Sequence, residues 1–231
     1  MKMLINFFRS QPKIPYYYIR GYTKKVDISK DIPEFSLLAS RIILEKKTML
    51  NFDRLYTIYQ LVKNLKDNSL AIEIGVYKGG TSKFIAALLL ESNSRLIGID
   101  TFDGHKDADS VTDGQHQNNL QFIDTSFNEV VDYLSDFSNV ALYKNRIQDL
   151  SLDKFINLSF IHLDVDLFEP TRWVLNNLSP LLKKDGVILI DDYGQKTTPG
   201  IEQAVKEFLE INAQNFFHLH LITGQFILVK R

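Results

Sequence analysis

At 231 residues, 45% hydrophobic and 24% charged, with no cysteine, the chain is long enough for one sizeable domain and needs no disulfide or metal staple to fold. The missing cysteine excludes a disulfide framework, a thiolate zinc or iron–sulfur site and a cysteine nucleophile, and it suits a cytoplasmic setting. The formal charge of −1 conceals a division, because residues 1–30 carry seven lysines and arginines against Asp27 alone, a net of +6, which leaves −7 on the remainder.

The basic arm comes first. Its cations are interleaved with Phe7, Phe8, Tyr16, Tyr17, Tyr18 and Tyr22. That composition fits an anionic glycan, a membrane surface or a second subunit, and a terminal arm is expected to pack or to form a dimer. Met1–Phe8 lacks the apolar core and cleavage site of a signal peptide. The longest apolar run, Phe84 to Leu90, falls far short of the ~20 residues of a transmembrane helix. Residues 1–44 therefore read as an arm with a helical extension, and 45–231 as the main domain. Leu37, Leu38, Ile42 and Ile43, then Leu55, Ile58, Tyr59, Val62 and Leu65, follow the spacing of helices laid on a core.

From residue 70 short apolar runs alternate with helical segments, the pattern of an α/β fold with a mostly parallel sheet covered on both faces. The predicted strands are Leu70–Gly75, Arg95–Asp100, Val140–Tyr143, Leu158–Asp164 and Gly186–Asp191. The predicted helices are Thr81–Leu90, Asn118–Leu134, Leu152–Phe155, Thr171–Leu182 and Ile201–Ile211. Phe216–Ile222 and Gln225–Lys230, separated by Thr223-Gly224, predict a closing antiparallel hairpin. A parallel series closed in this way is the arrangement of class I methyltransferases, a seven-stranded Rossmann-like sheet.

The first strand runs into Glu73-Ile-Gly75-Val-Tyr77-Lys-Gly79-Gly-Thr81-Ser82. A dinucleotide fingerprint requires glycine where Tyr77 stands, and a P-loop requires lysine where Thr81 stands, so both phosphate-binding readings fail. Asp100, ending the second strand, is placed to accept from ribose hydroxyls. Glu73 is placed to hold an ammonium. Together they imply a ligand with a nucleoside and an amino acid but no phosphate, the description of S-adenosylmethionine. The plainer alternative is a tight turn flanked by solvated acids.

Two further strands end in acids. The fourth continues into Asp164-Val-Asp166-Leu-Phe168-Glu169, and the fifth into Asp191-Asp192-Tyr193-Gly194. Adjacent strands lie ~4.8 Å apart, so these carboxylates are predicted neighbours that require a cation or raised pKa values. Oxygen donors select Mg²⁺, Ca²⁺ or Mn²⁺. Asp166 and Asp192 read alternatively as helix N-caps or loop acids, and Glu169 as a first-turn helix acid. His162 reads as a core histidine, whereas His105 and His116 lie on the segment after Asp100 that is better placed for function.

These motifs, with Ile99-Asp100-Thr101-Phe102-Asp-Gly104 and Pro199-Gly200-Ile201, resemble the macrocin O-methyltransferase (TylF/NovP-type) family over roughly residues 45–230. The resemblance implies Asp164, Asp191 and Asp192 as Mg²⁺ ligands and Asp166 as general base. It implies that the Thr48-Met49-Leu50 segment folds over the cofactor. Cofactor contacts are then expected from Thr48, Met49, Glu73, Gly75, Tyr77, Gly79, Thr81 and Ser82. On the remaining strand ends they are expected from Asp100, Thr101, Phe102 and Asp164. The family's glycine–aromatic–proline stretch near adenine is here Asn145-Arg146-Ile147-Gln148-Asp149, so Ile147 and Gln148 are the expected contacts there.

The activity implied is Mg²⁺-dependent methylation of a hydroxyl of a sugar, carried by a small-molecule or glycan acceptor. The arm lies outside the resemblance, and its composition is what makes a homo-oligomer (a dimer) the expectation. A phenolic or catechol-like acceptor and a non-catalytic cofactor-binding protein are the alternatives. The lid, about Asp103–Asn118, is polar and acidic, which leans toward a polyol. Nucleic acid is excluded as a partner because the acidic body repels phosphates.

Overall fold

The computed structural model describes residues 16–17, 26–27, 32–105, 108, 111–114 and 121–231. The arm's basic and aromatic side chains, its expected dimer contacts and His116 lie outside the described residues. Of residues 1–31, only an antiparallel ladder between Tyr16–Tyr17 and Val26–Asp27 is described. Among the described residues, no helix is long and apolar enough to cross a membrane.

The main sheet has seven strands: β1 Leu70–Ile74, β2 Arg95–Asp100, β3 Val140–Lys144, β4 Leu158–Leu163, β5 Val187–Ile190, β6 Phe216–His220 and β7 Phe226–Lys230. Their order across the sheet is β3-β2-β1-β4-β5-β7-β6, with β1 through β5 parallel and β7 antiparallel to both of its neighbours. Every residue of β1, β4 and β5 is buried, as continuous apolar runs covered on both faces require.

The alternation of the strands divides the core. Ala71, Phe160, Leu189 and Ile227 face α1 (Pro33–Leu44), α2 (Phe52–Val62) and α3 (Gly80–Leu89), where Phe35, Ile42, Leu55, Ile58 and Phe84 are fully buried. Ile72, Ile161 and Ile188 face α5 (Phe168–Asn177) and α6 (Pro199–Asn212) through Val174, Leu175, Ile201, Val205 and Phe208. The short α4 (Phe127–Tyr133) closes a satellite cluster of Val76, Phe102, Val130 and Leu134. After β1 the chain turns to one side for β2 and β3, then returns to the other for β4 and β5. The crevice beyond the carboxyl ends of β1 and β4 is thus the switch point where doubly wound sheets bind ligands.

Three predicted elements differ. The helix expected over Asn118–Leu134 starts only at Phe127, because Ser126 caps it by accepting from the Glu129 amide and residues 121–126 are turn and extended chain. Leu152–Phe155 is a single 3₁₀ turn over Leu152–Lys154. The helix expected over Thr171–Leu182 runs from Phe168 to Asn177 and gives way to a 3₁₀ turn at Ser179–Leu181, since Pro180 cannot continue an α-helix.

Candidate active site

A cavity of about 460 Å³ occupies the switch point, within the ordinary range for a small-molecule site. Its walls are the turn after β1 (Gly75, Val76, Tyr77), the ends of β2 and β3 (Asp100, Thr101, Asn145–Gln148), and the run Asp164–Leu167 after β4. Lys47–Asn51, Thr81, Arg54, Asp192, His105, Phe122 and Glu169 also border it.

Of the expected cofactor residues, Thr48, Met49, Gly75, Tyr77, Thr81, Asp100, Thr101, Ile147, Gln148 and Asp164 reach the cavity, and Glu73, Gly79, Ser82 and Phe102 do not. Asp166 and Asp192 reach it, whereas Asp191 lies behind the wall. Met49 stands largely exposed at the rim.

The glycine loop is shaped by the chain's own crossings. A Cβ on Gly75, at φ +92°, would fall 1.8 Å from the Asp164 carbonyl oxygen, so this position joins β1 to β4 as closely as backbone allows. A Cβ on Gly80 would lie 2.5 Å from the Lys47 carbonyl carbon, and the Gly80 amide donates to that carbonyl at 3.1 Å. The Thr48 and Thr81 hydroxyls are 2.7 Å apart. The segment preceding α2 is thereby pinned over the start of α3, beside the cavity. Tyr77, Phe102, Asp166 and Asp192 all hold positive φ, between 51° and 60°, a conformation that costs bulky residues energy and clusters at functional sites.

Asp100 reaches the cavity with most of its acceptor capacity already engaged. Its Oδ2 accepts from the Val76 and Tyr77 amides, each at 2.8 Å, and its Oδ1 accepts from the Phe102 amide at 2.7 Å. Of the roughly four acceptor positions of a carboxylate, one on Oδ1 is left for a ligand hydroxyl. Glu73 is redirected altogether. Its buried carboxylate accepts from the Ser82 hydroxyl and lies 3.1 Å from His162 Nδ1, so the expected ammonium contact is not offered to the cavity. The other His162 nitrogen, Nε2, lies 2.8 Å from Asp191 Oδ2. Burial opposes the imidazolium, but hydrogen bonds to Asp191 and Glu73 outweigh it and raise the His162 pKa to about 10. A charged histidine therefore bridges two buried carboxylates across β1, β4 and β5.

The acids after β4 and β5 converge as their strand positions predict. Asp164, Asp166 and Asp192 bring carboxylate oxygens within 4.8 Å of one another, and Asp164 makes a second such group with Asp191 and His162. Burial, then the charges of Asp191 and Asp166, hold the Asp164 carboxyl well above the usual range. Burial and Asp192 push Asp166 up to about 8, against an opposing pull from Arg54. Neither Asp166 nor Asp192 caps a helix: the caps are Leu167 and Thr198.

Several contributors carry no motif. Arg54 Nη1, from α2, lies 2.7 Å from Asp192 Oδ1 and 2.9 Å from Asp191 Oδ1. Gln225 donates to Asp191 Oδ2 at 3.2 Å, and Gln195 donates to Asp192 Oδ1. Buried Asp113 accepts from the Phe168 amide at 2.7 Å, fastening the segment after β2 to the start of α5. His105 Nε2 stands 3.6 Å from Asp166 Oδ2 and packs edge-on against Phe122, as does Tyr77. In sequence Arg54 stands in Arg54-Leu55-Tyr56, next to the segment that resembles the family's cofactor cover, with nothing to show that it faces the acids. The available signal for Asp113 was an acid within an otherwise featureless loop.

The donor set fits a hard divalent cation. It is all carboxylate oxygen, and Asp191 Oδ1, fully buried, makes no aligned hydrogen bond even to the guanidinium it faces. His162 is not available as a ligand, because both ring nitrogens are engaged.

Comparison with known proteins agrees with this architecture. The structure resembles that of the O-methyltransferase NovP, with a TM-score of 0.67 and 21% identity over 80% of this chain and 82% of that one. It also resembles the calicheamicin methyltransferase CalS11, at TM-score 0.58 and 19% identity over 90% and 98% of the two chains. CalS11 is further described as a TDP-rhamnose 3′-O-methyltransferase. An O-methyltransferase from Bacillus cereus, solved in complex with SAH, gives a TM-score of 0.57 at 14% identity over 88% and 95%. No curated protein matches the sequence. A methyltransferase-domain family model matches residues 72–193, from β1 through the acids after β5 and so more than half of the chain, which therefore belongs to that methyltransferase family.

Proposed function

We propose that the chain is an S-adenosylmethionine-dependent O-methyltransferase of the macrocin (TylF/NovP) type, acting with Mg²⁺ on a hydroxyl of a sugar in a glycoside, a glycan or a glycosylated natural product. The observation that carries this reading is the shared cavity: the glycine turn after β1 and the carboxylates of Asp164, Asp166 and Asp192 border one space, with Asp191 behind it. The sugar acceptor draws support from the description of CalS11, and the cofactor from the SAH-bound neighbour.

Asp164, Asp191 and Asp192 would hold the cation, which when bound supplies Lewis-acid stabilisation of a hydroxyl oxygen. The protein's own work is alignment and proton handling. Methyl transfer needs donor carbon and acceptor oxygen in line, and a cavity walled by Lys47–Asn51 and the run after β4 constrains both. Asp166 accepts the hydroxyl proton. Its left-handed backbone turns the carboxylate into the cavity wall, and a pKa raised toward neutrality suits a base working near pH 7. His105, beside Asp166, and Glu169 border the same space.

A second reading has one observation in its favour. Phe122, Tyr77 and His105 form an aromatic group on the wall, which suits a planar phenol or catechol. The experiment is transfer of a labelled methyl group from S-adenosylmethionine to a panel of glycosides, sugar nucleotides and catechols, with Mg²⁺ or EDTA. Metal-dependent label in sugars upholds the first reading, and label confined to catechols replaces it with the second. Cofactor binding without transfer to any acceptor leaves a non-catalytic binding protein.

A further inference from the structure

The cation that faces these carboxylates is one of the chain's own. Arg54 sits in the first turn of α2, and its Nη1 makes contact with Asp192 Oδ1 at 2.7 Å and Asp191 Oδ1 at 2.9 Å. Its Nε donates to the Thr223 carbonyl at 3.1 Å, which ties the plane of the guanidinium to the turn between β6 and β7. The side chain is only 14% exposed. The other Asp191 oxygen, Oδ2, is held by His162 and Gln225, so the oxygen that Arg54 faces is the one left without an aligned hydrogen bond.

A guanidinium keeps its charge at every accessible pH, so it can leave two carboxylates by moving but not by losing a proton. A divalent cation on the same oxygens would meet that charge at contact distance. A fixed cation shared by two carboxylates also favours the metal-free protein, because Asp191 and Asp192 are buried or half-buried acids and, among the described residues, the other cation in contact with the pair is His162.

We propose that Arg54 is a built-in competitor for the divalent cation: it occupies Asp191 and Asp192 in the metal-free protein and yields them when the cation binds. The inference rests on the reading of the acid cluster as a cation site. Arg54 borders the cavity, the space into which a displaced guanidinium would move. Its release also loosens α2 from the β6–β7 turn. That matters for the cofactor end of the cavity, because α2 follows directly on Lys47–Asn51, the segment held at Thr81.

The test uses Mn²⁺ alone as the probe, titrated into the full chain and followed by electron paramagnetic resonance of the free ion. Wild type, R54Q and R54K are compared, with thermal melts to establish that each is folded. R54Q is expected to bind Mn²⁺ about tenfold more tightly than wild type, and R54K, which keeps the charge without the fork, about threefold. If R54Q melts too early to titrate, R54K carries the comparison. In wild type, Mn²⁺ is expected to speed hydrogen exchange of the amides around Arg54 and Thr223, and in R54Q to leave those rates unchanged. Equal or weaker Mn²⁺ binding in the folded variants overturns the competition while leaving the cation site standing. Absence of Mn²⁺ binding in all three folded proteins removes the cation site, and the competition with it.

Discussion

At the scale of single residues, the site is governed by oxygen atoms held closer together than their charges favour. Asp166 is the most informative of them. Its amide analogue keeps the shape of the side chain and cannot accept a proton, so Asp166→Asn is expected to lower turnover about 10²–10⁴-fold while S-adenosylmethionine still binds, as measured by calorimetry beside initial rates. Near-normal turnover removes Asp166 as the base. Gly75 tests geometry rather than chemistry. Alanine there would press a methyl into the Asp164 carbonyl from a left-handed backbone, and Gly75→Ala is expected to cost about 2–4 kcal/mol in urea unfolding. An unchanged midpoint would mean that β1 and β4 separate easily. Asp164, Asp166 and Asp192 were legible because acids at the ends of neighbouring parallel strands have few places to go. The contact of Arg54 with them was not, because its partner Asp192 lies 138 positions away and the family-like segment around Arg54 points to the cofactor rather than to the acids. Glu73 was legible as a strand-end acid but not in its burial or its use, since His162 and Ser82 take its oxygens only once β4 and α3 are in place.

At the scale of elements, the buried strands were the most legible parts. Continuous apolar runs such as Val187–Ile190 have one stable location, the middle of a parallel sheet covered by helices. The helices were less so where local chemistry overrides apolar spacing. Ser126 and Glu129 form the Ser-x-x-Glu pattern of a helix start, a cue stronger than the apolar spacing that placed the helix from Asn118. Ser126→Ala is expected to weaken α4 by about 1 kcal/mol, read as faster hydrogen exchange through Phe127–Tyr133 with little change in the main sheet. Because α4 supports Phe102 and Val76, which flank the cavity turns, the same variant is expected to weaken cofactor binding modestly. An unaltered exchange pattern would show that packing of Val130 and Leu134, not the cap, holds the helix.

At the scale of the whole molecule, the buried acids make stability depend on pH in a definite direction. With EDTA present, Asp166 has a pKa of about 8 in the fold against 3.8 in the unfolded chain. The fold therefore holds the extra proton between those values, and the associated stability, complete below pH 3.8, is lost as pH rises through 8. His162 acts in the same sense, its contribution complete below 6.5 and lost on the way to about 10. The melting temperature of the metal-free protein is expected to fall from pH 6 to pH 10. Asp166→Asn should flatten the part up to pH 8 and leave the alkaline part intact, and a flat wild-type profile would contradict both assignments.

The antiparallel entry of β7 between β5 and β6 sets the order in which the molecule becomes competent. β1, β2 and β3 pair with sequence neighbours and can assemble early, as short-range contacts do. Gln225 and the Thr223 carbonyl reach Asp191 and Arg54 only when β7 docks on β5. A refolding chain that has built everything but this hairpin has most of its sheet and the start of its cofactor turn, yet lacks the Gln225 restraint on Asp191 and the Thr223 restraint on Arg54. Recovery of activity should accordingly trail recovery of secondary structure, and the interval between them is the time taken to seat one hairpin.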